Sequence, residues 1–229
     1  MTAKVYHGSP EGDLDHIESS SPPYKGSIGS GVYVTYDPEV ARFYGPHVYE
    51  LEILLHEDDV FWLTPDTMQQ VEGFEGHSVL VGEQVPPFSF DLKGQRYTVG
   101  WDDDMADSIA GQMARDRLVP IVGEKAADKL TDKGSRVPDS YDADEWSMQF
   151  EEDEFDKTLL DKIADAVDGI DEKVEKQFGL IIDLEDIGNE VELAGYKAVY
   201  LEGARSMPDS ELLVFNEDDL RMVGEMGPW

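Results

Sequence analysis

The chain has 229 residues, with 51 Asp and Glu against 18 Lys and Arg and a formal net charge of −33. Such a charge repels nucleic-acid phosphates and anionic membranes, because affinity for either rests on clustered Lys and Arg. The chain contains no cysteine, which excludes disulfides and thiolate metal sites. No apolar run reaches the roughly 20 residues of a transmembrane helix, and the N-terminus lacks a signal-sequence pattern. These features predict a cytoplasmic protein with neither direct nucleic-acid binding nor membrane association.

The first part of the chain is predicted to contain short strands and one helix. Three strands are expected, at Lys4 to Ser9, Gly31 to Tyr36 and His47 to Leu55. Asp37 followed by Pro38 is a strong helix start, because an aspartate caps the free N–H groups and proline fits the first helical position. Gly45 and Pro46 then end that helix.

The middle of the chain is predicted to be acidic and largely helical. Lys93-Gly94 is a plausible hairpin turn between strands at Phe88–Leu92 and Gln95–Val99. Helices are expected at Met105–Val119, at Lys125–Lys133 and, with amphipathic spacing, from Leu159 to about Gln177. Nine acidic residues and no basic one lie from Asp139 to Asp156, a pattern typical of a solvated loop.

The end of the chain returns to strands. A helix is expected at Leu184–Leu193, with Gly195 near its C-cap, followed by strands at Lys197–Leu201, Glu211–Phe215 and Leu220–Val223. Strands that flank a helical middle favour a single mixed α+β domain that spans residues 1–229 and contains an insertion at about 60–180.

Most familiar site motifs are missing from the sequence. Gly29-Ser30-Gly31 lacks the third glycine of a dinucleotide fingerprint and leads into a strand rather than out of one. No phosphate loop or metal-ligand spacing occurs. His16, His47, His56 and His77 are therefore interpreted as surface or packing residues.

Three segments carry residue types suited to catalysis. They are His7-Gly8-Ser9, then Gly31-Val32-Tyr33 with Tyr44 eleven residues on, and finally Glu211 at the head of an apolar strand. A carboxylate there is costly unless it is hydrogen-bonded or lies at a cleft edge. In order and spacing these segments resemble the ADP-ribosyltransferase superfamily, more closely its His-Tyr-Glu branch of diphtheria-toxin-like and poly(ADP-ribose)-polymerase-like enzymes. The closing strands resemble phage and bacterial members, and the resemblance covers about residues 3–55 and 184–224.

The resemblance implies a split mixed β-sheet core and a reaction with NAD. ADP-ribose would pass from NAD to a macromolecular acceptor, most simply a protein, with release of nicotinamide, as in a phage or toxin effector. Glu211 would accept a hydrogen bond from the nicotinamide ribose, in a reaction with an oxocarbenium-like transition state. Tyr33 and Tyr44 would stack on the nicotinamide ring. His7 is expected at the adenine-side ribose.

The resemblance assigns the remaining NAD contacts to small residues. The backbone of Gly8 would approach the carboxamide, since it has no Cβ, and Ser9 would assist at a ribose hydroxyl. Lys25 or Arg42 is a weaker candidate for the diphosphate. Ala41 stands where polymerase-like members carry a serine that holds the carboxamide, which implies a weaker grip on nicotinamide.

Two alternatives stay open at the level of sequence. Asp209 stands two residues before Glu211, where toxin-like arginine modifiers carry Glu or Gln, so the acceptor amino acid does not follow from the sequence. With water as acceptor, the same site would be an NAD glycohydrolase. An inactive fold could instead bind a basic partner or mimic nucleic acid through its acidic surface, with the run Asp139–Asp156 as its best support.

Overall fold

The computed structural model describes residues 3–19, 28–72, 79, 86–100, 105–138, 157–202 and 210–226. The chain divides into two compact units, of which unit 1 comprises 1–101 and 182–229 and unit 2 comprises 102–181. Unit 1 combines β-sheets with short helices, and unit 2 is built mainly of helices. The predicted mixed α+β class is therefore confirmed.

The elements are as follows in chain order. The strands are β1 (Lys4–Ser9), β2 (Val32–Val34), β3 (His47–Ile53), β4 (Val60–Leu63), β5 (Gln69–Gln70), β6 (Phe88–Leu92), β7 (Gln95–Val99), β8 (Leu180–Ile182), β9 (Ala198–Leu201), β10 (Glu211–Val214) and β11 (Leu220–Met226). The α-helices are α1 (Pro38–Tyr44), α2 (Met105–Val122), α3 (Glu124–Leu130), α4 (Lys157–Val167), α5 (Ile170–Phe178) and α6 (Ile187–Leu193). Short 3₁₀ turns occupy Glu57–Asp59, Leu184–Asp186 and Glu217–Asp219.

Among the described residues, two sheets of unit 1 are joined by one β-bridge. One sheet is antiparallel with the order β1-β3-β11, and the other has the order β2-β10-β9-β4, with β4 parallel to β9. Between the sheets, Tyr6 N–H donates to Thr35 O at 2.8 Å, and Thr35 N–H donates to Tyr6 O at 2.9 Å. β1 and β2 are thus held side by side at one residue pair, with no continuous ladder between them.

Strand β10 lies between two apolar cores, which explains why its sequence is apolar on both faces. Leu212 and Val214 pack into one core together with β1 and β3 residues such as Val5 and Leu51. Leu213 points to the other face and packs in a second core that contains β6, β7 and α6 residues. Alternation of side chains along a strand produces this division, and it leaves the charged Glu211 at the strand's first position.

The β6–β7 hairpin forms as predicted, with Lys93 and Gly94 both at positive φ in its turn.

The predicted insertion of about 60–180 is wider than unit 2, because β4 to β7 belong to unit 1 and β4 completes the sheet next to β9. β4 lacks a polar–apolar alternation because Phe61 and Leu63 face one core while Val60 and Trp62 face the other.

In unit 2, α2 packs against α3, α4 and α5. The Arg115 guanidinium bonds the Asp128 carboxylate at 2.5 Å, and Arg117 donates to Ala166 O at 2.9 Å. The single helix predicted from Leu159 to about Gln177 is wrong, because Gly169 takes φ 63° and separates α4 from α5. A glycine adopts this left-handed conformation without the strain that a Cβ brings.

The remaining differences concern element ends. The helix predicted over Leu184–Leu193 starts as a 3₁₀ turn before α6, and the last strand continues past Val223 to Met226. The acidic run Asp139–Asp156 lies outside the described residues, as do Lys25 and Asp209.

Candidate active site

A small pocket opens where β1 and β2 meet at their single bridge. Its lining includes four of the residues singled out from the sequence, Gly8, Tyr33, Tyr44 and Glu211. The other lining residues are Tyr6, Val34 and Thr35. Side chains from β1, β2, α1 and β10 therefore converge here, although they lie up to 205 positions apart between Tyr6 and Glu211.

Helix α1 is seated directly on Gly8. The helix begins as the sequence predicts, since the Asp37 carboxylate accepts from Glu39 N–H at 2.8 Å and Pro38 follows the cap. A Cβ on Gly8 would lie 1.7 Å from Ala41 O and 3.1 Å from Tyr44 Cβ. Only a residue without a side chain allows this approach, which brings Tyr44 over β1 and into the pocket.

The Glu211 carboxylate is buried and accepts a hydrogen bond from the Tyr44 hydroxyl. Glu211 is 7% exposed, so the bond offsets part of the cost of keeping a carboxylate out of water. Burial, and secondarily the nearby carboxylate, raise the pKa of Tyr44 well above its usual value of 10. Tyr44 therefore remains a hydrogen-bond donor at physiological pH.

Tyr33 contributes through both its side chain and its backbone. Its hydroxyl donates to Gly29 O at 2.7 Å, which fixes the ring against the segment that leads into β2. The Tyr33 carbonyl oxygen lies 2.8 Å from Nδ1 of His7. A carbonyl only accepts hydrogen bonds, so Nδ1 of His7 must carry a proton.

This hydrogen bond fixes the tautomer of His7. With the proton on Nδ1, the neutral ring presents Nε2 as an acceptor, which suits a hydroxyl donor such as that of a ribose. Desolvation by burial lowers the pKa of His7, and the hydrogen bond to Tyr33 O opposes this effect only in part. The neutral form of His7 is therefore favoured at neutral pH.

The lowered pKa of His7 predicts a pH-dependent contribution to stability. Because the folded ring binds a proton less readily than the unfolded one, this contribution is complete above the unfolded pKa of about 6.5. It is lost as pH falls through the folded value. Between about pH 7.5 and 5.5, the free energy of unfolding should fall more in the wild type than in His7→Asn, measured by urea denaturation. Parallel pH profiles for the two proteins would contradict this expectation.

The other predicted site residues within the described ranges, which are His7, Ser9, Ala41 and Arg42, are not part of the pocket lining. The Ser9 hydroxyl accepts from Glu11 N–H at 3.0 Å, and Ala41 is fully buried with its carbonyl against Gly8. Arg42 bonds the Glu39 carboxylate at 3.3 Å on the exposed side of α1. Lys25 lies outside the described residues.

No sequence motif indicates that Tyr6, Val34 and Thr35 line the pocket, as they do in the structure. Tyr6 lies two positions before Gly8 on β1, and alternation along a strand puts both on one face. Thr35 is brought to the pocket by its bridge with Tyr6. The alternation could have pointed to Tyr6, but the bridge is a tertiary contact with no sequence motif.

The described residues hold neither a metal-ligand cluster nor a membrane-spanning helix. They contain no group of three or more His, Asp or Glu side chains arranged to hold a metal ion. Within the same ranges, no helix is long and apolar enough to cross a membrane.

Comparison with known proteins adds one structural similarity. No family model matches the chain, and no curated protein matches it. A crystal structure of an anti-CRISPR protein is similar over 99% of this chain and 96% of that chain, at 13% sequence identity and a TM-score of 0.29. A TM-score this low supports no argument about fold or function.

Proposed function

We propose that this protein is an ADP-ribosyltransferase, which transfers ADP-ribose from NAD to a protein acceptor and releases nicotinamide. The observation that supports the proposal best is the convergence of Glu211, Tyr33, Tyr44 and Gly8 on one pocket. All four are among the residues named by the resemblance of three separate sequence segments to the His-Tyr-Glu branch, which also named His7, Ser9 and Ala41 outside this lining. A carboxylate and two tyrosines are side chains that suit a flat heterocycle attached to a ribose.

The proposed reaction breaks the bond between C1′ of the ribose and the nicotinamide nitrogen. Nicotinamide leaves with the bonding electron pair, and positive charge develops at C1′ and the ring oxygen. A lone pair of the acceptor then forms the new bond at C1′, and the proton of the acceptor passes to solvent. The negative Glu211 carboxylate stabilises the developing charge, an electrostatic effect that a buried setting strengthens.

Tyr44 has two roles in this proposal. Its hydroxyl now occupies a hydrogen-bonding position on Glu211 that a ribose hydroxyl would take. Binding of NAD therefore exchanges one donor for another at the carboxylate, and the ring of Tyr44 becomes free to cover the nicotinamide. His7, with Nε2 as an acceptor, would receive a hydrogen bond from a hydroxyl of the second ribose.

Labelled NAD tests the proposal directly. The purified protein is incubated with NAD labelled in its adenylate part, with and without a cell lysate, and both nicotinamide and protein-bound label are measured. Label on a lysate protein, together with release of nicotinamide, is the expected result. Release of nicotinamide with free ADP-ribose and no labelled protein would favour an NAD glycohydrolase. If NAD remains intact under both conditions, the proposed activity is refuted.

A further inference from the structure

Three aromatic side chains form a partly exposed cluster next to the pocket. The ring centroids of Trp62 and Tyr200 are 4.8 Å apart, and those of Tyr200 and Tyr36 are 6.2 Å apart. Tyr36 is 43% exposed, and the other two rings are partly buried. We call these three residues the aromatic platform.

The aromatic platform is connected to the pocket through the backbone. Tyr36 directly follows Thr35, which lines the pocket. Tyr200 is paired in the sheet with Leu212, the residue after Glu211. Neighbouring strands lie about 4.8 Å apart and residues advance about 3.3 Å along a strand, so these backbone positions are close together. The Tyr200 ring shares a face of the sheet with Leu212, whereas the Glu211 side chain lies on the other face by alternation. A chain lying on the platform therefore has to pass around the end of β2 at Thr35 to reach the pocket.

The segments that carry the platform have a one-sided charge. Residues 35–39, 62–67 and 200–202 contain no Lys or Arg. The exposed carboxylates next to the rings in sequence are Asp37, Asp66 and Glu202. Lys197 directly precedes β9 and so lies at the other end of this strand from Glu202. Its ammonium group is near the carboxylates of Asp59 and Asp219. Aromatic faces with flanking carboxylates attract a Lys or Arg side chain both by cation–π interaction and by charge.

The unpaired indole N–H of Trp62 indicates that the aromatic platform has a role other than stabilising the fold. This N–H is buried and has no hydrogen-bond partner among the described residues. An unpaired buried donor destabilises the folded state, and a phenylalanine at the same position would avoid that cost. Local features that disfavour stability are expected at functional sites.

We propose that the aromatic platform is the docking surface for a Lys- or Arg-bearing segment of the acceptor protein. The role in acceptor delivery rests on the proposed transferase function, whereas binding of a cationic segment does not. A guanidinium or ammonium group stacks on Tyr36 and Tyr200, and the exposed carboxylates of Asp37 and Glu202, close to these rings in sequence, add charge attraction. The docked chain then passes around the end of β2 at Thr35 to reach the pocket on the other face of the sheet.

Fluorescence anisotropy with short labelled peptides tests the binding step. The probes are a nine-residue peptide of alternating Gly and Arg and matched peptides with Lys or Gln in place of Arg, at about 150 mM salt to screen long-range attraction. We expect the Arg and Lys peptides to bind and the Gln peptide not to bind. Tyr36→Ala should weaken binding by about fivefold, as expected for loss of one cation–π contact.

A charge-matched pair of variants separates the platform from the general acidity of the protein. Asp37→Asn with Glu202→Gln removes two charges at the platform and keeps a good helix cap on α1. Asp58→Asn with Asp218→Asn removes two exposed charges in the 3₁₀ turns at the opposite strand end. The first pair should weaken peptide binding by about fivefold, as Tyr36→Ala does, and the second pair should leave it close to wild type. Equal effects of the two pairs, or no binding of the Arg peptide, would overturn the proposal.

An activity measurement on the same variants keeps the two proposals distinguishable. Tyr36→Ala should retain nicotinamide release in the absence of an acceptor and lose most protein labelling in the lysate. Loss of both signals together would refute a docking role. If the wild type does not cleave NAD at all, the transferase proposal fails, and the peptide measurements still decide whether the platform binds a cationic segment.

Discussion

Replacement of Glu211 by glutamine is expected to lower nicotinamide release and protein labelling by about a hundredfold or more, the usual effect of removing one preorganised electrostatic stabiliser. Glutamine has nearly the same shape, and its side-chain oxygen still accepts a hydrogen bond from Tyr44. The substitution therefore removes the negative charge and preserves the local packing. Because a neutral amide does not stabilise positive charge at C1′, the rate of bond cleavage falls, and the loss should appear mainly in kcat.

Glu190 offers a matched control for this experiment. Its carboxylate accepts a hydrogen bond from the Tyr97 hydroxyl at 2.9 Å, as Glu211 does from Tyr44, but it lies on α6 and is not part of the pocket lining. Glu190→Gln should keep activity close to wild type. Thermal unfolding of both variants checks that each is folded. If Glu211→Gln retains full activity while folded, Glu211 has no catalytic role.

Several strands and one helix start could be predicted because they depend on local signals. Lys4–Ser9 and the β6–β7 hairpin occur at the predicted residues, and α1 begins at its Asp-Pro cap. Each of these rests on residues within one element: an alternation, a turn or a cap. The same locality explains the error in unit 2, where helical spacing continues across Gly169 although the backbone does not.

The pocket depends on contacts that no local pattern contains. Of the residues that the three motifs named, the structure brings Gly8, Tyr33, Tyr44 and Glu211 together at one pocket and leaves His7, Ser9 and Ala41 out of its lining. The hydrogen bond from Tyr44 to Glu211 joins residues 167 positions apart, and it follows from how α1 and β10 are placed by the sheets. The apolar β4 was missed for a related reason, since a strand between two cores shows no alternation.

Gly8→Ala is expected to have the largest effect on the fold of unit 1 and on the pocket together. The new Cβ would lie 1.7 Å from Ala41 O and 2.7 Å from Ala41 C, both backbone atoms of α1. Since no side-chain rotation can relieve a clash with backbone, α1 or β1 has to shift. Overpacking of this kind costs about 3 kcal/mol, near the upper end of the usual range. The free energy of unfolding should fall by about that amount in urea denaturation.

Gly224→Ala is the matched control, because it makes the same substitution in the same sheet. Gly224 lies in β11, and a Cβ there meets nothing within 4 Å. That variant should be close to wild type in stability or slightly more stable, since alanine reduces the entropy of the unfolded chain. Equal stability of the two variants would show that the contact between Gly8 and α1 is not tight in solution.

The functional consequence of Gly8→Ala distinguishes a positioning role from general destabilisation. α1 carries Tyr44, so any shift that accommodates the new Cβ also moves the phenol relative to Glu211. At a temperature where Gly8→Ala is still folded, its affinity for NAD should therefore be lower, whereas Gly224→Ala should bind like the wild type. A folded Gly8→Ala protein with unchanged NAD affinity would mean that the close approach of α1 to β1 serves packing alone.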